Sequence, residues 1–292
     1  MSVGAPAITA FHDAATGTCS YIVSDPATRR AAIIDPVLDF DAKSGRTATR
    51  SADALLAALR ARGDTLEWIC ETHAHADHLT AAAYLRAQAG GRIAIGAGIR
   101  HVLCEFAPLF GFGPECPVDG SQFDHLFADG ECFAIGTLEA RVIAVPGHTI
   151  DSLAYLVGDA AFIGDTLFLP QAGTARTDFP GGDAGRLYDS IGLLYALPEA
   201  TRLFMCHVYP QPGEAPQFAT TVGEQRSSNI HLRAGTSREE FVALRTARDR
   251  ELALPALIIP ALQVNIRAGA LPAPQANGIA YLRIPLDVFG TP

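Results

Sequence analysis

The sequence predicts an α/β protein in which two β-sheets pack together with helices on their outer faces. Two observations predict it. Strand, helix and strand segments recur in two successive halves of the chain, and 49% of its 292 residues are hydrophobic against 18% charged. That balance is enough for a substantial buried core and excludes a disordered or coiled-coil chain.

The elements follow in order. CSYIVSD and AAIIDP, separated by a turn containing Pro26, read as a hairpin. The stretch from Asp39 to Ser51 is polar, and SADALLAALRARG then reads as an amphipathic helix with Ser51 as N-cap and Gly63 as its stop. LEWIC is a short apolar strand that runs through a histidine-rich turn into an Ala-rich helix closed by Gly90 and Gly91. RIAIG is a strand, and HVLCEFAPLFGFGPECP is a short helix or an insertion broken by glycines and prolines. ECFAIG, LEARVIAVPGHT and SLAYLVGDAAFIGDTLF are enriched in β-branched and aromatic residues and read as strands. The helix DAGRLYDSIGLLYALP and the strand RLFMCH complete the second half.

Residues 1–210 are therefore expected to form the catalytic domain, and residues 211–292 a C-terminal extension packed on it. The extension holds the polar stretch TTVGEQRSSN, a helix capped by Ser237 with Glu240 three residues on, and a Pro-punctuated tail. No fixed-period repeat is visible.

A formal net charge of −9 argues against a surface that holds nucleic acid or an anionic membrane, so the ligand is expected to be small. The first residues lack a basic segment followed by an apolar one, and no apolar run approaches about 18 residues. A cytoplasmic protein is the expectation. Six scattered cysteines without a CxxC pair fit a reducing compartment, and Cys206 reads as structural despite its neighbour His207.

Within ETHAHADHL, His73, His75, Asp77 and His78 place four metal-ligand types directly after a strand. A strand end splays alternate side chains and the following turn folds later ones back, so such a cluster can converge on one cavity. His148 in VPGHT, Asp165 in IGDTL and His207 in MCHVY each follow an apolar run. In packed sheets, strand ends at one rim bring such residues into one pocket.

HAHADH, PGHT, GDTLF and CHVY resemble the ordered metal-binding motifs of the metallo-β-lactamase superfamily over roughly residues 8 to 210. That resemblance implies an αββα sandwich with the metal site at one edge. GTARTDFPGG, from Gly173 to Gly182, resembles the signature of persulfide dioxygenases within that superfamily, and the segments around Asp35, Arg226 and Arg267 look like segments of the same family.

The resemblance implies a mononuclear Fe(II) enzyme that oxidises glutathione persulfide with O2 to sulfite and the thiol, in sulfide detoxification. One iron per chain would be held by His73, His148 and Asp165, a face that leaves positions open to substrate and dioxygen. His75, Asp77, His78 and His207 would orient those ligands. A sulfurtransferase partner is implied by resemblance alone, and a homodimer is expected from exposed sheet edges. Because glutathione carries two carboxylates, Arg176, Arg226 and Arg267 are the expected anchors, with Tyr209 as a hydrogen-bond donor.

Spacing does not separate this from a binuclear arrangement. His73, His75 and His148 would then hold one metal, Asp77, His78 and His207 a second, and Asp165 would bridge. That is the arrangement of a glyoxalase II-type glutathione thioester hydrolase, with zinc in place of iron. The segments 39–51 and 101–126 look longer than in compact members of the family and are expected to reshape the mouth of the pocket.

Overall fold

The computed structural model describes residues 4–289. The first half runs β1 (Ala7–Asp13), β2 (Thr18–Ser24), β3 (Arg30–Ile34), β4 (Val37–Asp41), β5 (Arg46–Ala48), α1 (Arg50–Arg62), β6 (Thr65–Cys70), β7 (Leu79–Thr80), α2 (Ala82–Ala89), β8 (Arg92–Gly96), α3 (Ile99–Leu109) and β9 (His125–Phe127). The second runs β10 (Cys132–Ile135), β11 (Leu138–Ala144), β12 (Leu153–Val157), β13 (Ala160–Phe162), α4 (Ala184–Tyr195), β14 (Arg202–Phe204) and β15 (Ala219–Thr221). Helices α5 (Val222–Ser228), α6 (Arg238–Asp249) and α7 (Ile258–Asn265) follow.

Two six-stranded sheets result, in the orders β1-β2-β3-β6-β8-β9 and β10-β11-β12-β13-β14-β15. Alternation along the strands of the first sheet sorts their side chains between two cores. Tyr21, Ala32, Ile34, Trp68 and Cys70 face the second sheet, where they meet Tyr155, Phe162 and Phe204. Ile22, Ile33, Ile69, Ile93 and Ile95 face outward and are covered by α1, α2 and α3 through Leu55, Leu85 and Val102. Both faces of this sheet are thus dry, and its parallel pairs β3–β6, β6–β8 and β8–β9 require that cover.

The C-terminal segment contributes to both cores, with Phe241 of α6 in the first and Ala261, Leu262 and Val264 of α7 in the second. Its Pro-punctuated tail is therefore partly helical, because apolar side chains from α7 complete the outer cover of the first sheet. TTVGEQRSSN likewise forms β15 and α5. The predicted capping box at Ser237 and Glu240 is present, and Gly63 ends α1 in the left-handed conformation.

Ser51 does not cap α1. The N-cap is Thr49, and Ser51 instead donates its N–H and hydroxyl to Asp39. This bond fastens α1 to β4, within a β4–β5 hairpin where the polar composition of residues 39–51 gives no strand signal. Strand β1, paired along its length with β2, is similarly absent from the periodicity of its sequence. Among the described residues no helix is long and apolar enough to cross a membrane.

Candidate metal centre

Each chemistry-bearing residue follows a strand end. His73, His75, Asp77 and His78 lie after β6, His148 after β11, Asp165 after β13 and His207 after β14. β11 and β13 both run antiparallel to β12, and β14 runs parallel to β13, so their C-terminal ends share one edge. A bridge between Thr18 and His207 ties the two sheets together there.

Gly147 allows the turn before His148. Its φ of +142 and its approach to α4 leave no space for a side chain, since a Cβ would lie 2.4 Å from the backbone of Leu187. Asp35, just after β3, anchors the histidine loop by accepting from Thr72 N at 2.7 Å and from Thr72 Oγ1 and His75 Nε2 at 2.9 Å each. Burial opposes protonation of His75 but is outweighed by the Asp35 and Glu71 carboxylates, which push it up to about 9. Glu71 is itself pushed up to about 8 by burial and by Asp35.

His73, His148 and Asp165 offer ligand atoms that all lie within 4.8 Å of one another. Asp165 Oδ2 stands 3.9 Å from His73 Nε2 and 3.7 Å from His148 Nε2, too far for hydrogen bonds. The Nδ1–H of His148 donates to the Arg176 carbonyl at 2.8 Å, which leaves the Nε2 lone pair facing that carboxylate. Burial, with His75 and His148, holds His73 well below the usual histidine range. Two lone pairs and an anionic oxygen turned toward one point repel unless a cation lies among them, so the donor set fits a metal ion.

His207 has a different role. Its Nδ1 donates to Asp165 Oδ1 at 2.6 Å and its Nε2 to Asp77 Oδ2 at 2.7 Å. Burial works against its protonation, yet Asp165 and Asp77 raise it well above the usual histidine value. His78 Nδ1 lies 3.2 Å from Asp77 Oδ1, while His78 Nε2 and His75 Nδ1 are buried without partners. His75, Asp77 and His78 form a second group within 4.8 Å.

A cavity of about 560 Å³ opens over the centre, lined among others by His148, Asp165, Phe168, Phe179, Tyr209 and His231. Tyr209 is 67% exposed at its mouth and stacks on His207 with the rings 12° apart. Arg176 also lines it, but its guanidinium is occupied: both prongs meet Asp178, at 2.6 and 2.7 Å, and Nη1 donates to Ala253 O at 2.6 Å.

Neither Arg226 nor Arg267 lines the cavity. Arg226, on α5, pairs with the exposed Glu199, and Arg267, just after α7, lies over the Phe112 ring. Besides Arg176, the cavity is reached by Arg245 and Arg248, three apart on α6, and His231 beside them belongs to no apolar run or motif. The helical i, i+3 spacing in ALRTARD was the available signal for the two arginines. Cys206 is buried, its thiol is pushed up by burial, and Sγ lies 3.6 Å from Asp35 Oδ2.

Comparison with known proteins gives the same frame. A probable metallo-hydrolase of Burkholderia pseudomallei is 50% identical over 289 residues, covering 96% of this chain and 98% of that protein. The human mitochondrial persulfide dioxygenase is 30% identical over 255 residues, covering 86% and 84% of the two chains. The crystal structure of ETHE1 from Myxococcus xanthus superposes with a TM-score of 0.72 at 31% identity, over 90% of this chain and all of that one. The model of the metallo-beta-lactamase superfamily matches residues 13–207, the span that carries every residue of the centre, and the chain belongs to that superfamily.

Proposed function

We propose that this protein is a mononuclear iron-dependent dioxygenase that converts glutathione persulfide and O2 to sulfite and glutathione. The observation that carries the reading is the division of labour at Asp165. Oδ2 joins His73 and His148, while Oδ1 is held by His207, whose other nitrogen is held by Asp77. One compact set of two histidines and one carboxylate is the donor set of Fe(II) oxygenases. Similarity to the human persulfide dioxygenase supports the same chemistry.

Bound there, Fe(II) would supply adjacent positions for an anionic sulfur and for dioxygen. The chain's own residues do the remaining work. Asp35 and Thr72 set the histidine loop, the Arg176 carbonyl fixes the tautomer of His148, and Phe168 and Phe179 give the pocket apolar walls. The segment after residue 210 serves as one wall of this single catalytic unit, since Arg245 and Arg248 of α6 and Leu252, Pro255 and Leu257 line the cavity.

A second reading, a binuclear glutathione thioester hydrolase, draws on the unpartnered His75 Nδ1 and His78 Nε2 and on the relative named as a metallo-hydrolase. Metal content of anaerobically purified protein, with O2 uptake on adding glutathione persulfide, separates the two. About one iron per chain with sulfite formation supports the dioxygenase. Two metals per chain and cleavage of S-lactoylglutathione without O2 uptake would replace it by the hydrolase.

A further inference from the structure

A second cavity lies beside the metal centre, between α3, α7 and the loop that carries Phe179. It measures about 20 Å³ against about 560 Å³ for the catalytic cavity, which gives it room for about one water-sized molecule. Ala76, His148 and Phe179 line both, so they form the partition between the two.

The other walls of this chamber are apolar. α3 supplies Val102 and Phe106, and α7 supplies Ile258 and Leu262, all of them buried. Residues 101–126, expected at the mouth of the catalytic cavity, do not line that cavity and reach the centre through this chamber instead. The histidine loop adds small side chains, because Ala74 and Ala76 alternate with His73, His75 and Asp77.

Polar atoms are few here. Thr149 Oγ1 is bonded to Ser152 Oγ at 2.6 Å, and Asp151 Oδ2 accepts the Ala74 N–H at 2.8 Å. Among the described residues, Asp151 Oδ1 is the one buried side-chain oxygen of the lining without a partner. A buried water needs about two to four polar partners, so the chamber suits an apolar guest better than water. An anionic thiol is excluded by size and by the cost of stripping its charge of water.

We propose that this chamber is a holding site for dioxygen, from which O2 reaches the His148 side of the centre while the thiol carrier occupies the larger cavity. Of the two reactants, only O2 is both apolar and small enough for it. A carrier that fills the catalytic cavity blocks a second reactant arriving by the same mouth, and a separate compartment beside His148 avoids that conflict. The identity of the guest rests on the dioxygenase reading above, whereas the chamber itself does not.

The test pressurises crystals with xenon, which occupies dry apolar cavities, and follows steady-state kinetics in parallel. A xenon peak is expected among Val102, Phe106 and Ile258 in wild type. Xenon should also inhibit wild-type turnover in competition with O2 and not with glutathione persulfide. Val102→Phe on α3 and Ile258→Phe on α7 each fill the chamber. Each is expected to remove the peak and raise the KM for O2 roughly tenfold, with the KM for glutathione persulfide and the iron content unchanged. Val102→Ala enlarges the chamber and should keep the peak, which separates filling from general damage.

No xenon in the chamber, or an ordered water on Asp151 Oδ1 in its place, would overturn the site whatever the turnover. So would filled variants that fold, lose the peak and keep the wild-type KM for O2. If neither filled variant folds, the xenon competition on wild type decides, and inhibition independent of O2 concentration would overturn the site. Xenon bound in the chamber with no O2 uptake by iron-loaded protein would instead overturn the dioxygenase, and with it the identity of the guest.

Discussion

The Nδ1–H of His207 donates to Oδ1 of Asp165 at 2.6 Å, which turns Oδ2 toward His73 and His148. His207 in turn is held by Asp77, so a residue of the histidine loop after β6 sets the carboxylate that follows β13. Metal affinity is therefore expected to depend on His207 and Asp77 through the carboxylate that they orient.

His207→Gln keeps one hydrogen bond at most and releases Asp165 from its fixed rotamer. Metal affinity is expected to fall about 10- to 100-fold with the circular dichroism spectrum unchanged. Competition with a chelator reads this directly. Unaltered affinity would remove the orienting role from His207.

His148→Ala deletes one of the three converging donors and the tie to the Arg176 carbonyl. Iron measured by mass spectrometry after anaerobic purification is expected to drop to background, and O2 uptake with it. Retained iron and full turnover would refute the ligand assignment.

Arg176→Ala removes a bidentate pair with Asp178 and the bond to Ala253 O that fastens the 252–255 segment over the cavity. A stability loss of about 1–3 kcal/mol is expected, seen in chemical denaturation. Arg176→Lys should recover little of it, because an ammonium cannot span both carboxylate oxygens. A variant of wild-type stability with only a raised KM would instead return Arg176 to the role of a substrate anchor.

Gly147→Ala forces a side chain into the α4 backbone at Leu187, where neither partner can rotate aside. Loss of roughly 3 kcal/mol or more is expected, read as a Tm shift or as insoluble protein. Gly45→Ala, at a positive φ of 67° but with open space around it, is the control that isolates backbone strain from the clash.

His231 is expected to give stability a pH dependence whose sign follows from its burial. Its folded value of about 4 lies below the ordinary 6.5, so in that window the unfolded chain binds a proton that the native state refuses. The stabilisation present above about 6.5 is lost progressively as pH falls toward 4. Denaturation midpoints of wild type and His231→Gln across this range should show the steeper decline in wild type.

The sequence by itself determined the metal ligand types, their order along the chain and the strand ends that carry them. ETHAHADHL, PGHT and GDT are local motifs following apolar runs, and both signals survive without tertiary information. The same holds for the capping box of α6 and the glycine stop of α1. Which side chains face the cavity was decided only by packing. Arg176, Arg226 and Arg248 have the same chemistry in one dimension, and only the fold shows the first paired to Asp178, the second on an outer surface and the third on the cavity wall. His231 acquires its open N–H because Thr174, distant in sequence, takes its other nitrogen. An arginine or histidine is specified by its partners, and those of Arg226 and His231 lie 27 and 57 residues away, where no local pattern reaches.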